Sequence, residues 1–260
     1  MPLTEFQSTL ASCLAKNRTF DSYLAGGAAI LIEANTQRYS NDLDYFHDSE
    51  QRVAQAFEED RRLLEKHGYT LRIDLNQPGY IRAVVRQNEQ ATKVEWAHDS
   101  SWRFMPTVEH PLVGYVLHPI DLAVNKVLAL AGRDEPRDLL DTMYEHREVL
   151  CLGGLCWAAC GKDPGFTPLS LLGLLRRRGR VRAEDLARLN LTAPIDLQQL
   201  KREWLVALDS VDPFVSARPD EEIGCLYYSP SQQDFVDPRT TADAVPHFGK
   251  PCGILPRIHE

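Results

Sequence analysis

The segment GGAAILIEANTQRYSNDLDYF, residues 26–46, joins a glycine pair to an apolar run and then to two aspartates separated by one leucine. Side chains alternate across a β-strand, so Asp42 and Asp44 should project from one face while Leu43 points into the core. Two carboxylates at that spacing repel each other, and each raises the pKa of the other. A nearby cation would offset this repulsion.

A divalent metal is one such cation. Mg²⁺ is usually held by one or two carboxylates, and water and substrate phosphates take its remaining positions. Gly26 and Gly27 fit the same chemistry, because a backbone without Cβ atoms lets N–H groups approach a triphosphate closely. The alternative is an exposed strand end that carries two aspartates and no metal. This segment alone leaves both interpretations open.

A third acidic residue, Glu95, lies in the later segment ATKVEWAHD, residues 91–99. This segment alternates polar and apolar side chains, which predicts a strand. An aspartate pair on one strand and an acid on another is the arrangement that two-metal nucleotidyl transfer sites use. In the alternative interpretation, Glu95 lies on the solvated face and pairs with Lys93, two residues away.

The rest of the chain predicts an α+β protein with a mixed sheet and a C-terminal helical lobe. Helices are predicted over residues 4–17 and 49–68, and three alternating segments between residues 69 and 99 predict an antiparallel meander. Helical patterns follow a proline-containing crossover at residues 106–119. We predict a core over residues 1–115, a helical lobe over 116–217 and an irregular tail over 218–260.

Composition and charge narrow the classes of protein. The 260 residues carry a formal net charge of −8, so any polyanionic partner must meet a local basic patch or a bound metal. The N-terminal residues lack the features of a signal peptide, and no apolar stretch reaches the length of a membrane span. Six scattered cysteines suit a reduced compartment. We therefore expect a cytoplasmic protein with no membrane partner.

Two separated motifs give the chain a resemblance to a known family. The first, YLAGGAAILIEANTQRYSNDLDYF, contains the glycine pair and an R-x-S-x-D-L-D pattern that ends at Asp44. The second, KVLALAGRDEPRDLLD, begins at Lys126 and ends at Asp141. Together they resemble the AbiEii/AbiGii-type nucleotidyltransferase toxins of the DNA polymerase β-like superfamily, over about residues 20–175. The chain departs from the pattern at Ala28, where the family often has a hydroxyl side chain.

The resemblance implies a nucleotidyltransferase core in which Asp42 and Asp44 bind the catalytic metal, Mg²⁺ or Mn²⁺. We add Glu95 as the third metal ligand. The predicted nucleotide-binding residues are Gly26, Gly27, Arg38, Ser40 and Lys126, and the predicted catalytic residues are Asp42, Asp44, Glu95, Lys126 and Asp138. Two alternatives stand beside these roles: a surface helix position for Lys126, and a salt bridge from Asp138 to Arg133 or Arg137.

A basic segment, LLRRRGRVR at residues 174–182, stands out in this acidic chain. Arginines so close together suit a nucleic-acid backbone, and we predict that Arg176, Arg177 and Arg178 bind the acceptor. The alternative is a solvated helix end, because cations are favourable near a helix C-terminus and Gly179 would end the helix there.

These residues predict an enzyme that moves a nucleoside monophosphate from an NTP to an acceptor. The resemblance implies that the acceptor is RNA, with the tRNA 3′ end favoured, and that the enzyme is the toxin of a bacterial toxin–antitoxin pair with a cognate antitoxin protein. Two alternatives remain open. One is a nucleotidyltransferase that modifies a small molecule, and the other is a catalytically silent module of the same fold that binds a nucleotide or a protein.

Overall fold

A mixed sheet of seven strands carries the acidic residues of the predicted site. The structure, a computed structural model, describes residues 3–33, 38–133 and 135–257. Its strands are β1 (Ser22–Ala25), β2 (Asp42–His47), β3 (Thr70–Gln77), β4 (Tyr80–Gln87), β5 (Gln90–His98), β6 (Trp102–Arg103), β7 (Val108–His110), β8 (Gly114–Val116), β9 (Cys225–Ser229), β10 (Asp234–Phe235), β11 (Val245–Phe248) and β12 (Lys250–Pro251). The large sheet has the order β3-β4-β5-β2-β1-β8-β7, in which β2 runs parallel to β5 and β1 parallel to β8.

Helices cover one face of this sheet and build the second half of the chain. They are α1 (Glu5–Leu14), α2 (Gly26–Glu33), α3 (Glu50–Lys66), α4 (Pro119–Gly132), α5 (Pro136–Glu148), α6 (Leu152–Lys162), α7 (Pro168–Arg178), α8 (Ala183–Ala187), α9 (Leu197–Asp209) and α10 (Val211–Ser216). Thr4 caps α1 and Ser49 caps α3 through their hydroxyls, as the sequence predicts. The predicted meander is also confirmed, since β3, β4 and β5 pair in antiparallel order.

The covered face of the sheet packs on α1 and α3. Leu43 and Val94, from β2 and β5, are fully buried there, and the Trp96 ring meets the Phe57 ring edge-on at 5.1 Å between centroids. Burying a large apolar side chain contributes about 1.5–3 kcal/mol, so these contacts determine which side of each strand points inward. The polar residues that alternate with them along β2 and β5 therefore project from the opposite face.

The helices after β8 enclose a second core. Val127, Met143, Leu155, Leu171 and Trp204 come from five different helices and belong to one buried cluster. A mixed sheet followed by a helical lobe confirms the predicted α+β class. The strand β8 crosses the boundary predicted at residue 115, and the division into domains stays a prediction. Within the described residues, no helix has both the length and the apolar character needed to cross a membrane.

The prediction of an irregular tail over residues 218–260 is wrong for the part that the structure describes. The strands β9, β10 and β11 form an antiparallel sheet, and β12 pairs with β6. Buried Tyr227 of β9 packs in one cluster with Trp157 and Phe214 of the helical lobe. Packing onto the lobe stabilises strands of two to five residues, which are too short for a clear alternating pattern among the prolines and aspartates of the tail.

Candidate active site

Three carboxylates meet on the face of the sheet opposite α1 and α3, where β2 and β5 run side by side. The parallel register sets Asp44 opposite Glu95, and Asp42 lies two residues earlier on the same face. One oxygen atom from each carboxylate lies within 4.8 Å of the others. The structure thus brings together the three residues predicted as metal ligands, here called the acidic triad.

The glycine pair makes room for charged side chains of the site. Ala25 pairs with Asp44 across β1 and β2, so the turn from β1 into α2 lies beside the triad. Gly26 has a φ of +62°, and a Cβ atom there would overlap the Asp44 carboxylate. At Gly27, a Cβ atom would lie 2.6 Å from Arg38 Nη2. Glycine is required here by these contacts and by backbone conformation, in addition to any approach of a phosphate.

Basic side chains contact two of the three triad carboxylates. Lys93 Nζ lies 3.0 Å from Asp42 Oδ2 and 3.1 Å from Glu95 Oε1. Arg137 Nη1 lies 3.4 Å from the same oxygen of Asp42, and Arg82 Nε donates to Glu95 at 2.9 Å. These contacts offset much of the negative charge of the triad.

The two aspartates of the triad have pKa values shifted in opposite directions. Burial, followed by repulsion from Asp42 and Glu95, raises the pKa of Asp44 to about 7. Burial also acts to raise the pKa of Asp42, but Lys93 and Arg137 hold that pKa below its ordinary value. Within the part of the chain that the structure describes, the Asp44 side chain has no hydrogen-bond or ion-pair partner.

The triad fits a divalent cation. Its donors are carboxylate oxygens, which Mg²⁺ and Mn²⁺ prefer, and they converge on one point. A cation bound there would also relieve the repulsion that raises the pKa of Asp44. Asp42, Asp44 and Glu95 are therefore the residues that would hold the metal.

A second charged cluster, here called the buried ion network, centres on α4 and α5. Asp141 accepts hydrogen bonds from Arg38 Nε at 2.7 Å and Nη2 at 2.6 Å, and Lys126 Nζ lies 2.7 Å from Asp141 Oδ2. Asp138 contacts Lys126 at 3.3 Å and accepts from Arg133 Nε at 2.6 Å. All except Arg133 are buried. Each carboxylate of the network thus binds two cations.

Two predicted site residues lie outside the lining of the cavity beside the triad. Asp138 is fully buried and is not among the residues that line the active-site cavity. It contacts Lys126 and Arg133, which agrees with the salt-bridge alternative, and a catalytic role for Asp138 stays a prediction. Ser40 is also buried away from the cavity lining, and its hydroxyl donates to the Asp42 carbonyl at 2.8 Å. The Ser40 hydroxyl, which we predicted to lie near the triphosphate, thus donates to the backbone beside the triad.

The triad, the glycine pair and part of the ion network line one cavity of about 530 Å³. Lys126 and Arg38 line it as predicted, although the Arg38 guanidinium is bonded to Asp141. Its charged lining comprises Arg38, Arg82, Lys93, Lys126, Arg133, Arg137, Lys162, Asp42, Asp44, Glu95 and Asp99. Asp138 and Asp141, just behind the lining, pair with three of the seven basic side chains, so the basic residues here exceed the acidic ones by one.

Several residues that line this cavity were not predicted from the sequence. Arg133 and Arg137 belong to the second motif but were considered only as salt-bridge partners. Lys162 comes from α6 and contacts Asp99 at 2.8 Å, and nothing in its sequence context indicates the site. Asn125 also lines the cavity, and its buried Oδ1 has no hydrogen-bond partner among the described residues.

A second cavity, of about 660 Å³, shares Arg137 with the first and is here called the arginine cavity. Its charged lining consists of Arg137, Arg178, Arg180, Arg182, Arg188, Glu135 and Asp185. A hydrogen bond of 2.8 Å from Tyr39 N to Asn190 O holds the segment after α8 against the residues that lead into β2. This contact brings the arginine cavity close to Asp42.

Only one of the three arginines predicted to bind the acceptor lines this cavity. Arg178 does, but Arg176 forms an ion pair with Asp212 at 3.0 Å, and Arg177 is exposed at the end of α7. For Arg176 and Arg177, the structure agrees with the solvated helix end. Acceptor binding stays a prediction for Arg178.

Comparison with known proteins identifies the fold. No protein-family model matches the chain, and no curated protein sequence does either. Among solved structures, MenT4, a nucleotidyltransferase toxin from Mycobacterium tuberculosis H37Rv, is similar with a TM-score of 0.53 and 17% identity, over 80% of this chain and 82% of that one. A candidate nucleotidyltransferase from H. pylori has a TM-score of 0.48, with 18% identity over 82% and 95% of the two chains. JHP933 from Helicobacter pylori has a TM-score of 0.47, with 15% identity over 83% and 95%. The likeness to MenT4 shows that the chain shares the α+β fold of that protein.

Proposed function

We propose that this chain is a metal-dependent nucleotidyltransferase that moves a nucleoside monophosphate from an NTP to an acceptor hydroxyl. The observation that carries the proposal is the convergence of Asp42, Asp44 and Glu95 beside the glycine pair, in a cavity that seven basic side chains also line. A fold can host many functions, so the proposal rests on this site and not on the likeness to MenT4 alone.

The residues of the cavity suggest how the reaction proceeds. Mg²⁺ or Mn²⁺, when bound by the triad, would stabilise charge on the transferred phosphate and orient the two reacting oxygens. Lys126 and Arg133 would neutralise the triphosphate as fixed cations, because the buried ion network holds both of them in place. The acceptor oxygen attacks the α-phosphorus, the bond to the β-phosphate oxygen breaks, and Glu95 accepts the acceptor proton. Pyrophosphate then leaves.

The arginine cavity favours an RNA acceptor, with the tRNA 3′ end as the expected one. It lies beside Asp42 and offers five guanidinium groups in a chain whose net charge is −8. No ion pair engages the side chains of Arg178, Arg180 or Arg188 within the described residues, so they are available to phosphates. A small-molecule acceptor would not require a second basic cavity of this size.

We further propose that the enzyme acts in the bacterial cytoplasm as the toxin of a toxin–antitoxin pair, in the AbiEii/AbiGii-type family whose motifs it resembles. MenT4, whose fold it shares, is named as a nucleotidyltransferase toxin. Its partners would then be an NTP, RNA and an antitoxin protein. Expression of the wild-type chain in a bacterial host should arrest growth, and expression of the Asp44→Ala variant should not.

The function can be tested by incubating the protein with each α-labelled NTP in turn, Mg²⁺ and total RNA. We expect label to enter RNA from at least one NTP, and to depend on both the metal and Asp44. A purified tRNA pool should then be labelled at its 3′ end. Label in a small molecule would refute the RNA acceptor, and a chain that releases no pyrophosphate with any acceptor would refute the transferase.

A further inference from the structure

Lys93 occupies a position between two carboxylates that the proposed function assigns to a metal. Its Nζ atom lies 3.0 Å from Asp42 Oδ2 and 3.1 Å from Glu95 Oε1. Arg82 and Arg137 each contact only one member of the triad. Among the described basic residues, Lys93 alone bridges two triad carboxylates.

This bridge has a clear electrostatic role when no metal is bound. Adjacent β-strands hold the carboxylates together, so the backbone does not allow Asp42 and Glu95 to move far apart. Their mutual repulsion would destabilise this arrangement, and an ammonium group at hydrogen-bond distance from both offsets it. One elementary charge on Lys93 thus partly replaces the two charges of a divalent cation.

Lys93 and a metal ion would compete for the same two carboxylates. Mg²⁺ binds carboxylate oxygens at about 2.0–2.1 Å in near-octahedral geometry, and it tolerates no ammonium within its ligand sphere. Asp42 Oδ2 and Glu95 Oε1 are the atoms that Lys93 holds. Binding of the metal to these atoms therefore requires Lys93 to move.

The surroundings of Lys93 allow such a movement. About a third of its side chain is exposed, and the four-carbon stem of lysine rotates freely in solvent. Lys126 also bridges two carboxylates, but only 7% of its side chain is exposed, within the buried ion network. The two lysines of the cavity are thus a movable cation and a fixed one.

We propose that Lys93 is a built-in counterion that holds the acidic triad together before metal binding and is displaced by the metal. This inference rests on the proposed function, because it requires the triad to bind a divalent cation. Once displaced, the Lys93 ammonium remains in the lining of the cavity, where it would contact the phosphates of the incoming NTP. Metal and nucleotide would then bind in a favoured order, with the metal first releasing a cation for the triphosphate.

The test is a direct titration of Mn²⁺ into the protein without nucleotide. Binding is measured by calorimetry or by the loss of the electron paramagnetic resonance signal of free Mn²⁺. Lys93→Met removes the competing charge and keeps the length of the side chain. We expect Mn²⁺ to bind this variant about tenfold more tightly, since an opposite charge at this distance changes the charging of a carboxylate by at least that factor. Lys93→Arg should bind Mn²⁺ like the wild type.

Lys162→Met is the matched control, because Lys162 lines the same cavity but contacts Asp99 and not the triad. Its Mn²⁺ affinity should change less than about threefold, which measures the general effect of removing one charge from the cavity. Thermal unfolding gives a second readout. The Lys93→Met variant should unfold at a lower temperature than the wild type without metal, and should gain more stability from Mn²⁺.

The outcomes separate this inference from the proposed function. If wild type and Lys93→Met bind Mn²⁺ equally, or if the variant binds it more weakly, the inference fails while the metal-dependent transferase stands. If Lys162→Met tightens binding as much as Lys93→Met does, the effect is general and displacement is refuted. If no variant binds Mn²⁺, both the inference and the metal site fail.

Discussion

Two charged clusters line the same cavity, and they differ in how fully their charges are paired. In the buried ion network, Asp138 and Asp141 each bind two cations, and both carboxylates are almost completely buried. In the acidic triad, Asp44 has no partner among the described residues, and Lys93 is partly exposed. Every carboxylate of the network is paired with cations, whereas the Asp44 carboxylate of the triad remains available to bind one.

This difference in charge pairing indicates that the buried ion network serves folding and the acidic triad serves binding. Removing one partner of a buried ion pair leaves an uncompensated charge in a low-dielectric site, so the network should be essential for folding. Removing the Asp44 carboxylate from the triad relieves a repulsion, so Asp44 contributes little to folding and is retained for what it binds. Both clusters hold aspartates in similar numbers, and only their partners distinguish them.

The largest expected effect is on activity, from Asp44→Asn. This change keeps the shape of the side chain and removes the charge that the metal would require, so nucleotidyl transfer should fall by at least about 10³-fold. The melting temperature of the metal-free protein should stay the same or rise. Asp74→Asn, on the exposed edge strand β3 of the same sheet, is the control and should retain wild-type activity. Wild-type transfer by Asp44→Asn would place the reactive centre elsewhere.

The next effect is on stability, from Asp141→Asn. The change leaves Arg38 and Lys126 buried with a neutral partner, and we expect a loss of about 3–5 kcal/mol in the free energy of unfolding, measured with urea. Glu203→Gln removes a partner of the partly exposed Arg147, at 2.8 Å, and should cost less than about 1 kcal/mol. Equal losses in the two variants would contradict the distinction between the network and ordinary surface pairs.

The sequence predicted the triad because the evidence for it is local. Asp42 and Asp44 follow the period of one strand, and Glu95 occupies a polar position in the alternating pattern of another. The salt bridge between Lys93 and Glu95 was available as an alternative interpretation, since the two share a face. The contact of Lys93 with Asp42 was not, because it depends on the parallel register between β2 and β5, which packing of the whole sheet determines.

The buried ion network and the arginine cavity could not be predicted from the sequence, because their contacts also depend on the fold. Arg38 and Asp141 are 103 positions apart, and the chain between them forms most of the sheet. A cluster of arginines in sequence indicated an acceptor site, but Arg176 and Arg178 lie two positions apart on α7 and so point to different sides of the helix. Arg176 pairs with Asp212, and Arg178 lines the cavity. The sequence shows which residues are charged, but the fold determines which of them form contacts.

A smaller effect concerns pH and the metal-free protein. The pKa of Asp44 is raised to about 7 in the folded chain, against about 4 in the unfolded one, so the unfolded chain ionises first as pH rises. The stability that Asp44 contributes is therefore fully present below pH 4 and is lost as pH rises towards 7. Relative to the wild type, Asp44→Asn should gain stability over this window, by at most about 1.4 kcal/mol for each pH unit, and little more above it.

Unfolding in urea at closely spaced pH values, with a chelator present, measures this difference. The comparison between two proteins removes the contributions of other shifted groups, such as Glu145, whose pKa burial raises to about 8. A difference that does not depend on pH would mean that Asp44 is ionised throughout. The triad would then be neutralised by its cations as completely as the buried ion network is.

The smallest expected effect tests whether the arginine cavity belongs with the triad. Replacing Arg180 and Arg188 together with alanine should weaken binding of a single-stranded RNA oligonucleotide about fivefold at moderate salt, because each phosphate contact releases a counterion. The slope of log affinity against log salt should fall by about 1.4, which corresponds to two contacts on a single strand. Affinity for the NTP should not change, since neither residue lines the active-site cavity.

The control for this pair is Arg62→Ala with Arg86→Ala, which removes the same charge from exposed positions on α3 and β4. Both double variants lower the net charge equally, so long-range attraction of RNA falls equally in the two proteins. Fluorescence anisotropy over a salt series should therefore separate a contact from a general field. If the control loses as much slope as the Arg180 and Arg188 variant, the arginine cavity is a solvated surface, and the positive charge that matters for the reaction lies only around the triad.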